Sequence, residues 1–379
     1  IILKSYIQVP IPVYKYIIIG TFIYFIGRND MKHFKNIVLS ILFLLFTIFT
    51  LIYYEKISLA IINSLERCFK VVIPSLFAFM VISSVIIKSN LHKYFSRPFR
   101  FISKRILHIN ENLFSVFLMS FTGGYPVGAK NLSELYDKNE ISKEEAEKML
   151  SFCYMPSPAF VMGISSPILY SSKKAGIIIY ISIAVSTILF SIFSGIFRKT
   201  ENTIKTEEKI KISSETLISA VETTAISLFK ICIMIIFSSV IIVLTKILFS
   251  KIIINENISV IINSLIEITT LTEFKKDMFN FLPIVTTLFS FGGISVIMQV
   301  KAITGNRFSL KYFFISRIII AFLSAIISKI AVKFISVTVS KEDIYMGSRE
   351  NSILPSIILI IMIIYLLWDK KTVANRKNM

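Results

Sequence analysis

The chain has 379 residues, of which 54% are hydrophobic, and it carries a formal net charge of +19. Its mean hydropathy of +0.73 and its long apolar blocks exclude an ordinary soluble domain and predict an all-α, polytopic helical membrane protein. Because the lysines and arginines collect in short loops between apolar runs, we assign the basic excess to membrane topology and anionic lipid. We therefore expect the lipid bilayer as a partner and no nucleic acid.

Side chains suited to catalysis or metal binding are scarce. The cysteines, Cys68, Cys153 and Cys232, are far apart and form no metal-like or redox-like spacing. The three histidines lie in basic loops, and no glycine loop with a phosphate-binding lysine is visible. We therefore expect no enzyme activity, no catalytic residue, no metal site and no cofactor, so that coupling to ATP would require another subunit.

The first apolar stretches raise the question of where the protein begins. The chain opens with Ile1 rather than methionine, and Met31 is a plausible start. The apolar run 37–54 follows two lysines and lacks a small-x-small cleavage site, so we interpret it as an uncleaved anchor. Whether the earlier apolar stretch, residues 11–26, spans the membrane or is translated stays open.

A basic segment follows the next membrane run. Residues 71–87 are apolar and long enough to cross, and residues 88–112 carry six lysines and arginines against one glutamate. The positive-inside rule places this segment in the cytoplasm. Aromatic side chains alternate with its charges, so a segment lying in the membrane interface fits as well as a plain loop.

Residues 113–129, LFSVFLMSFTGGYPVGA, are apolar enough to enter a bilayer yet contain Gly123, Gly124, Pro126 and Gly128. Proline removes a backbone donor and each interior glycine costs roughly 1 kcal/mol relative to alanine, so this helix should bend, unwind or re-enter. Broken backbone at membrane depth is tolerated only where protein or a water-filled cavity surrounds it. The segment is therefore a candidate substrate site.

A second copy of this feature lies at residues 288–299, LFSFGGISVIMQ, where Gly292 and Gly293 correspond to Gly123 and Gly124. These are the chain's two Gly-Gly pairs. Interrupted hydrophobic segments at corresponding places in two halves indicate a transporter's binding site near the bilayer midplane. The alternative is that both pairs are kinks that merely let helices pack closely.

The polar stretch that follows the first copy contains a helix signal. Ser142 and Glu145 form a capping box, which predicts a helix through Leu150 with a solvated, charged face. Residues 151–169 then bring three prolines and a glycine, so we predict a second irregular membrane segment there.

Charged residues also stand inside apolar runs of the second half. A carboxylate at the bilayer centre costs about 2.5 to 3.5 kcal/mol, so Glu267 should pair, face a cavity or lie nearer the interface. Arg317 and Lys329 lie near the ends of a long run, 313–334. We expect both side chains to reach the interface by snorkelling.

The apolar runs predict about eight to ten membrane segments, in two repeated halves that contain broken or re-entrant helices. Whether the halves are inverted or parallel stays open. The chain then divides into an N-terminal extension (1–36), a first membrane half (37–197), a polar linker (198–216), a second membrane half (217–337), and a C-terminal span with a basic tail (338–379).

Several motifs resemble one family. SFTGGYPVGAK, followed by an acidic helix and LSFC, then PSPAF, EITT and FSFGGISVIMQV, resembles the YlbJ (SpoVV) family of sporulation integral membrane proteins from about Met31 to the C-terminus. The resemblance implies a nucleoside-recognition or Gate domain, related in fold to concentrative nucleoside transporters. It also implies delivery of dipicolinic acid across the outer forespore membrane of an endospore former. This chain has Tyr154 and Met155 where the family has polar asparagines.

Dipicolinate is a planar dianion, so its site needs concentrated hydrogen-bond donors and positive potential. A half-helix beginning near Gly124 or Gly293 would point unsatisfied amides at a carboxylate. Lys130 could add a formal charge, although a lysine just past an apolar run is also a typical interface anchor. The predicted substrate-binding residues are Thr122, Gly123, Gly124, Tyr125, Lys130, Ser157, Glu267, Thr269, Gly292, Gly293, Ser295 and Gln299.

Two other functions stay open. The first is transport of nucleosides or another small metabolite, and the second is a non-transporting structural component of a sporulation membrane complex. In the second case the partners would be another copy of the chain or other sporulation membrane proteins. The sequence does not indicate whether protons, sodium or a simple gradient would drive transport.

Overall fold

The computed structural model describes residues 31–168, 173–196, 210, 212–248, 256–273 and 281–334. Within these ranges the chain is almost entirely helical and contains no β-strand. Six helical stretches of the described residues are long and apolar enough to cross a membrane. The predicted all-α, polytopic membrane class is therefore confirmed. The apolar stretch 11–26, for which the question of a span stays open, and the predicted C-terminal span within 338–379 lie outside the described residues.

The chain falls into two units, and the first ends at Leu59. Its described part consists of α1 (Met31–Ile52) and the beginning of α2 (Tyr54–Arg67). No described side chain of α1 is buried, although the helix is strongly apolar. An apolar helix with exposed sides suits contact with lipid.

The second unit begins at Ala60 and holds the other helices. In chain order they are α3 (Ile73–Lys88), α4 (Leu91–Ser96), α5 (Phe114–Gly123), α6 (Tyr125–Asp137), α7 (Lys143–Leu150), α8 (Pro158–Ile168), α9 (Lys173–Ile196), α10 (Ser214–Leu248), α11 (Glu256–Ile266), α12 (Leu282–Phe291), α13 (Gly293–Thr304) and α14 (Lys311–Phe334). Short 3-10 or π-helical turns lie at Cys68–Val72, Arg97–Phe99, Ile102–Ile106, Glu111–Leu113 and Ile268–Glu273.

Both Gly-Gly segments interrupt their helices, as predicted. Gly124 separates α5 from α6 with φ 94° and ψ 173°, a conformation that residues with a side chain rarely adopt. Gly292 and Gly293 separate α12 from α13 with φ values of 81° and 84°. Each break therefore depends on glycine at a position with positive φ.

The downstream halves of the two interrupted helices meet in the interior. Helix α6 packs against α13, α13 against α10, α10 against α3, and α3 against α6. These four helices close a ring of contacts, while α12 packs on the other side against α9 and α14. The two breaks are thus brought together, although 168 residues separate Gly124 from Gly292.

The predicted capping box is present. The Ser142 hydroxyl accepts a hydrogen bond of 3.1 Å from the Glu145 amide at the start of α7. In contrast, the segment 88–112 is not a plain loop, because it contains α4 and three short helical turns. Phe95 and Phe101 in this segment are exposed, and its position at the membrane interface stays a prediction.

The prediction that Arg317 snorkels to the interface is wrong. Its side chain is completely buried within α14. Its Nη1 donates to the Tyr154 carbonyl at 3.1 Å and its Nη2 donates to the Ser151 carbonyl at 2.5 Å. These carbonyls lie between α7 and α8 and accept no helical hydrogen bond from the described residues, so they offer internal acceptors that a uniformly helical chain would not.

Candidate functional site

A small cavity lies beside both interrupted helices. Half of the residues predicted to bind substrate line it: Gly124, Tyr125, Ser157, Glu267, Thr269 and Gln299. Apolar side chains supply most of the remaining wall, among them Leu76 of α3 and Ile231 and Ile235 of α10. The cavity volume is about 30 Å³, which is room for roughly one or two water molecules.

Two helices begin at the cavity, and a third, α13, reaches it with the end of its first turn. Gly124 and Tyr125 line it at the start of α6, and Val296 lines it in the first turn of α13. Ser157 lines it immediately before α8, and the Ser157 hydroxyl accepts from the Phe160 amide at 3.1 Å. Each helix N-terminus carries a partial positive charge of roughly half an elementary charge. Their convergence favours a negatively charged group at this place.

Two tyrosine side chains form hydrogen bonds to the second helix interruption, at the end of α12. Tyr125 donates to the Phe289 carbonyl at 2.6 Å, and Tyr154 donates to the Phe291 carbonyl at 3.1 Å. These carbonyls stand at the end of α12, where the interruption removes their helical partners. The two rings lie 4.8 Å apart between centroids. Side chains of the first half therefore satisfy backbone groups that the second break leaves open.

Glu267 faces the cavity, which is one of the three positions expected for it. It is 1% exposed and follows the end of α11. Its Oε1 accepts from the Thr269 amide at 3.1 Å and from the Thr269 hydroxyl at 3.0 Å. Its Oε2 receives no hydrogen bond from any residue that the structure describes. The carboxyl group is therefore half satisfied.

Helix α13 supplies the other polar groups near the cavity. Gln299 donates from Nε2 to the Ser295 hydroxyl at 3.3 Å, and Ser295 in turn donates to the Met234 carbonyl at 3.5 Å. Ser295 is buried and its hydroxyl lies near the Glu267 carboxyl group, but it does not line the cavity. Gln299 is thus the neutral polar side chain that α13 presents to the cavity wall.

Lys130 lies elsewhere in the interior. It is 3% exposed and does not line the cavity. Its Nζ lies 3.2 Å from Glu134 Oε1 and donates to the Thr224 hydroxyl at 3.1 Å. The ammonium group therefore has a protein carboxylate as its partner, and it neither anchors at the membrane surface nor adds charge to the cavity wall.

The remaining predicted residues surround the cavity without lining it. Thr122 is exposed, and its hydroxyl donates back to Met119 at 3.4 Å. Gly123, Gly292 and Gly293 are buried or half-buried at the breaks. A Cβ at Gly292 would lie 2.1 Å from the Tyr154 hydroxyl, so this glycine permits the contact between the two halves.

The sequence did not predict a role for Tyr154, whose ring contacts Tyr125, Phe313 and Arg317. Its ring lies 4.8 Å from that of Tyr125 and 5.0 Å from that of Phe313, and the Arg317 guanidinium lies 4.4 Å from its centroid. A large aromatic residue two positions before Pro156, at a place where the family has asparagine, was the available signal. Its partners lie too far along the chain for a local pattern to identify them.

A charged cluster outside the membrane-spanning helices holds the end of α6. Glu140 Oε2 lies 3.3 Å from His92 Nε2 and 3.0 Å from Lys93 Nζ. Burial raises the pKa of Glu140, but hydrogen bonds from His92 and Lys93 outweigh it and lower the pKa to about 2. The cluster fastens α4 to the turn that follows α6.

The comparisons with known proteins give one match. No protein-family model and no solved structure matches the chain. The chain is 28% identical over 145 residues to the sporulation integral membrane protein YlbJ of Bacillus subtilis (strain 168). The aligned region covers 38% of this chain and 36% of that relative. This similarity supports the resemblance to the YlbJ family that the motifs indicate.

Proposed function

We propose that the protein carries a small anionic metabolite across a membrane, and that its substrate is a planar dicarboxylate of the dipicolinate class. The convergence of the N-termini of α6 and α8 and of the first turn of α13 on one cavity, between two interrupted helices, is the observation that carries the proposal. Secondary transporters bind substrate carboxylates with the N-termini of discontinuous helices. The name of the relative adds sporulation as the setting, so we propose the outer forespore membrane as the location.

The cavity is too small for a dicarboxylate in the conformation described here. Pockets for metabolites usually measure about 300–1,000 Å³, whereas this cavity has about 30 Å³. Leu76 of α3 and Ile231 and Ile235 of α10 form part of its apolar wall. Binding of a dicarboxylate therefore requires these helices to separate, as expected for a carrier whose site opens to one side at a time.

One observation favours a second candidate. Glu267 offers an unpartnered acceptor oxygen to the cavity, and Gln299 adds an amide to its wall. These groups suit a neutral ligand rich in hydroxyl donors, such as a nucleoside. Transport of nucleosides is therefore the alternative against which the anion has to be tested.

The test is uptake by the purified full chain in liposomes. We expect labelled dipicolinate to enter faster than in protein-free vesicles, with little uptake of labelled uridine. Gly124→Leu should abolish uptake, since a Cβ at this position would lie 2.8 Å from Leu76 and the backbone has positive φ. Gly163→Leu is the matched control, because among the described residues no atom outside its own helix backbone lies within 4 Å of its added Cβ.

The two other outcomes of the uptake assay would indicate different functions. Uridine uptake without dipicolinate uptake would establish the second candidate. Uptake of neither compound, by protein that is folded and oriented in the vesicles, would contradict a carrier and favour a non-transporting membrane component.

A further inference from the structure

Glu267 is the acidic side chain of the cavity wall, and its surroundings determine how it can be charged. It is 1% exposed. Among the described residues it forms no ion pair, and its Oε2 has no hydrogen-bond partner. A buried carboxylate with one free oxygen is unfavourable when ionised, because the protein replaces only part of its hydration.

The charged and titratable groups around Glu267 do not neutralise it. Arg67 of α2 interacts with it electrostatically, but Arg67 Nη1 lies 3.7 Å from Glu273 and its Nη2 donates to Ser64 at 3.1 Å. The other titratable groups that interact with Glu267 are a thiol and two phenols: Cys68 of the π-helical turn before α3, Tyr125 of α6 and Tyr154 of the segment before α8.

The remaining helices at this place present neutral groups. Helix α13 offers Ser295 and Gln299, and the residue before α8 is Ser157. Helix α10 contributes the apolar Ile231 and Ile235 to the cavity wall. Among the described residues Arg67 is therefore the cation that interacts with the carboxylate, and the ion pair of Arg67 is with Glu273.

A proton fits this site better than a metal cation. A hard cation needs a shell of several oxygen ligands, and most of the cavity wall is apolar. No group of three or more His, Cys, Asp or Glu side chains in the described residues is arranged to hold a metal ion. A proton needs one acceptor oxygen, and Glu267 Oε2 provides it.

We propose that Glu267 carries a proton that is transported together with the anionic substrate. This inference rests on the proposed carrier function. A proton from the solvent on the side to which the site is open binds Oε2, and the O–H bond that forms neutralises the carboxyl group. The anion then binds beside a neutral acid, which can donate a hydrogen bond to it. After the site opens to the other side, the anion leaves and the O–H bond breaks to return the proton to solvent.

The charges of Glu267 and of the substrate explain why proton binding and substrate binding would be coupled. An ionised Glu267 and a dicarboxylate would repel each other in a small cavity of low polarity, where Coulomb interactions are much stronger than in water. A proton on Glu267 therefore strengthens binding of the substrate, and bound substrate strengthens binding of the proton. The helix N-termini at the cavity attract the anion most strongly once the carboxyl group is protonated.

The experiment measures protons and substrate together. The full chain is reconstituted in liposomes that contain a pH-sensitive dye, and uptake of labelled dipicolinate is driven by an inward proton gradient or by an inward sodium gradient. We expect the proton gradient to accelerate uptake and the lumen to acidify with it, while the sodium gradient has no effect. In Glu267→Gln the acidification that accompanies dipicolinate uptake should fall to the proton leak of protein-free vesicles. This expectation holds at any rate of dipicolinate uptake by the variant.

Glu273→Gln is the matched control, because Glu273 ends the short 3-10 turn that begins directly after Glu267, but it pairs with Arg67 and Lys246 and does not line the cavity. It should keep the wild-type ratio of protons to dipicolinate. A wild-type protein that moves dipicolinate without protons, a sodium-driven uptake, or an unchanged ratio in Glu267→Gln would overturn the inference and leave the carrier function standing. Absence of dipicolinate movement in the wild type would overturn the carrier function itself.

A second measurement covers the case in which Glu267→Gln moves no substrate. Infrared difference spectra of purified protein, recorded with and without dipicolinate, report the carbonyl band of a protonated carboxylic acid. We expect a band in the wild type that dipicolinate strengthens and that Glu267→Gln lacks. Identical bands in both proteins would show that Glu267 does not take up the proton.

Discussion

The two interrupted helices share a sequence pattern but use it differently. Gly124 corresponds to Gly293, and six residues further on Lys130 corresponds to Gln299. In the first helix this position carries a charge that is turned away from the cavity and neutralised by Glu134. In the second it carries a neutral amide that lines the cavity. One copy of the pattern therefore fixes the helix in the protein, and the other supplies the site.

The packing of the two copies shows the same difference. Gly128 of α6 corresponds to Ile297 of α13. A Cβ at Gly128 would lie 1.8 Å from the Cys153 carbonyl oxygen, whereas the larger Ile297 is accommodated half-buried. Helix α6 is thus pressed against the segment before α8, and α13 has more space around it. An internal repeat predicts where helices break, but not which copy contacts a ligand.

Removing the charge of the first copy should have the largest effect on stability. Lys130→Ala leaves Glu134 without its ammonium partner in a region where the lysine is 3% exposed. Loss of one member of a buried pair costs about 3 to 5 kcal/mol, and we expect the lower end, because Ser84 still donates to Glu134 at 2.7 Å. The measurement is the unfolding temperature in detergent.

The corresponding change in the second copy is the control for this prediction. Gln299→Ala should destabilise by about 1 kcal/mol or less, since it removes one long hydrogen bond to Ser295. The double variant Lys130→Ala/Glu134→Ala should recover part of the stability lost by Lys130→Ala. Equal losses for Lys130→Ala and Gln299→Ala would contradict the division of roles between the copies.

The second prediction concerns packing. Gly128→Ala places a methyl group against the Cys153 carbonyl, which is backbone and cannot turn aside. We expect a loss of about 2 kcal/mol from overpacking, even though alanine favours a helix by roughly 1 kcal/mol over glycine. Gly163→Ala, with open space around its added Cβ, should leave the unfolding temperature unchanged or raise it. A stable Gly128→Ala protein would mean that α6 is not tightly held.

Part of this architecture could be predicted from the sequence because its causes are local. Glycine at positive φ and proline in the first turn act on their own residues, so the breaks at Gly124 and Gly292 were visible as a pattern. The capping box at Ser142 is equally local. Glu267 could be narrowed to three positions by the cost of a buried charge, and the cavity selects one of them.

What could not be predicted depends on partners far away in the chain. Arg317 lies near the start of a long apolar run, where an arginine usually reaches the lipid headgroups. It is buried instead because the open carbonyls of Ser151 and Tyr154 lie beside it. Lys130 likewise follows an apolar run, and only the approach of α3 and α10 gives its charge an internal setting.

The third prediction tests how each break satisfies its freed carbonyl groups. Tyr125 donates to Phe289 at the second break, and Tyr180 of α9 donates to Phe121 at the first at 2.8 Å. Tyr125 is 5% exposed, whereas Tyr180 is only partly buried. A buried carbonyl that loses its donor costs about 1 to 3 kcal/mol, so Tyr125→Phe should lower stability by about 1.5 kcal/mol and Tyr180→Phe by less. A larger effect of Tyr180→Phe on the unfolding temperature would reverse this ranking.

The smallest expected effect is a pH dependence confined to the first copy. Glu140, just after α6, has a pKa lowered to about 2 from 4.5, while the corresponding residue after α13 is the neutral Ser309. A lowered carboxyl pKa stabilises the folded state fully above pH 4.5, and this contribution is lost as the pH falls toward 2. Between about pH 5 and 3.5 we expect a loss of stability on the order of 1 kcal/mol, reduced by solvent screening.

The measurement is the unfolding temperature as a function of pH across this range. At pH 5 the unfolding temperature of Glu140→Gln should be lower than that of the wild type, and it should decrease less as the pH falls to 3.5. Parallel curves would mean that the contacts of Glu140 with His92 and Lys93 do not hold the end of α6, and that both copies are anchored by packing alone.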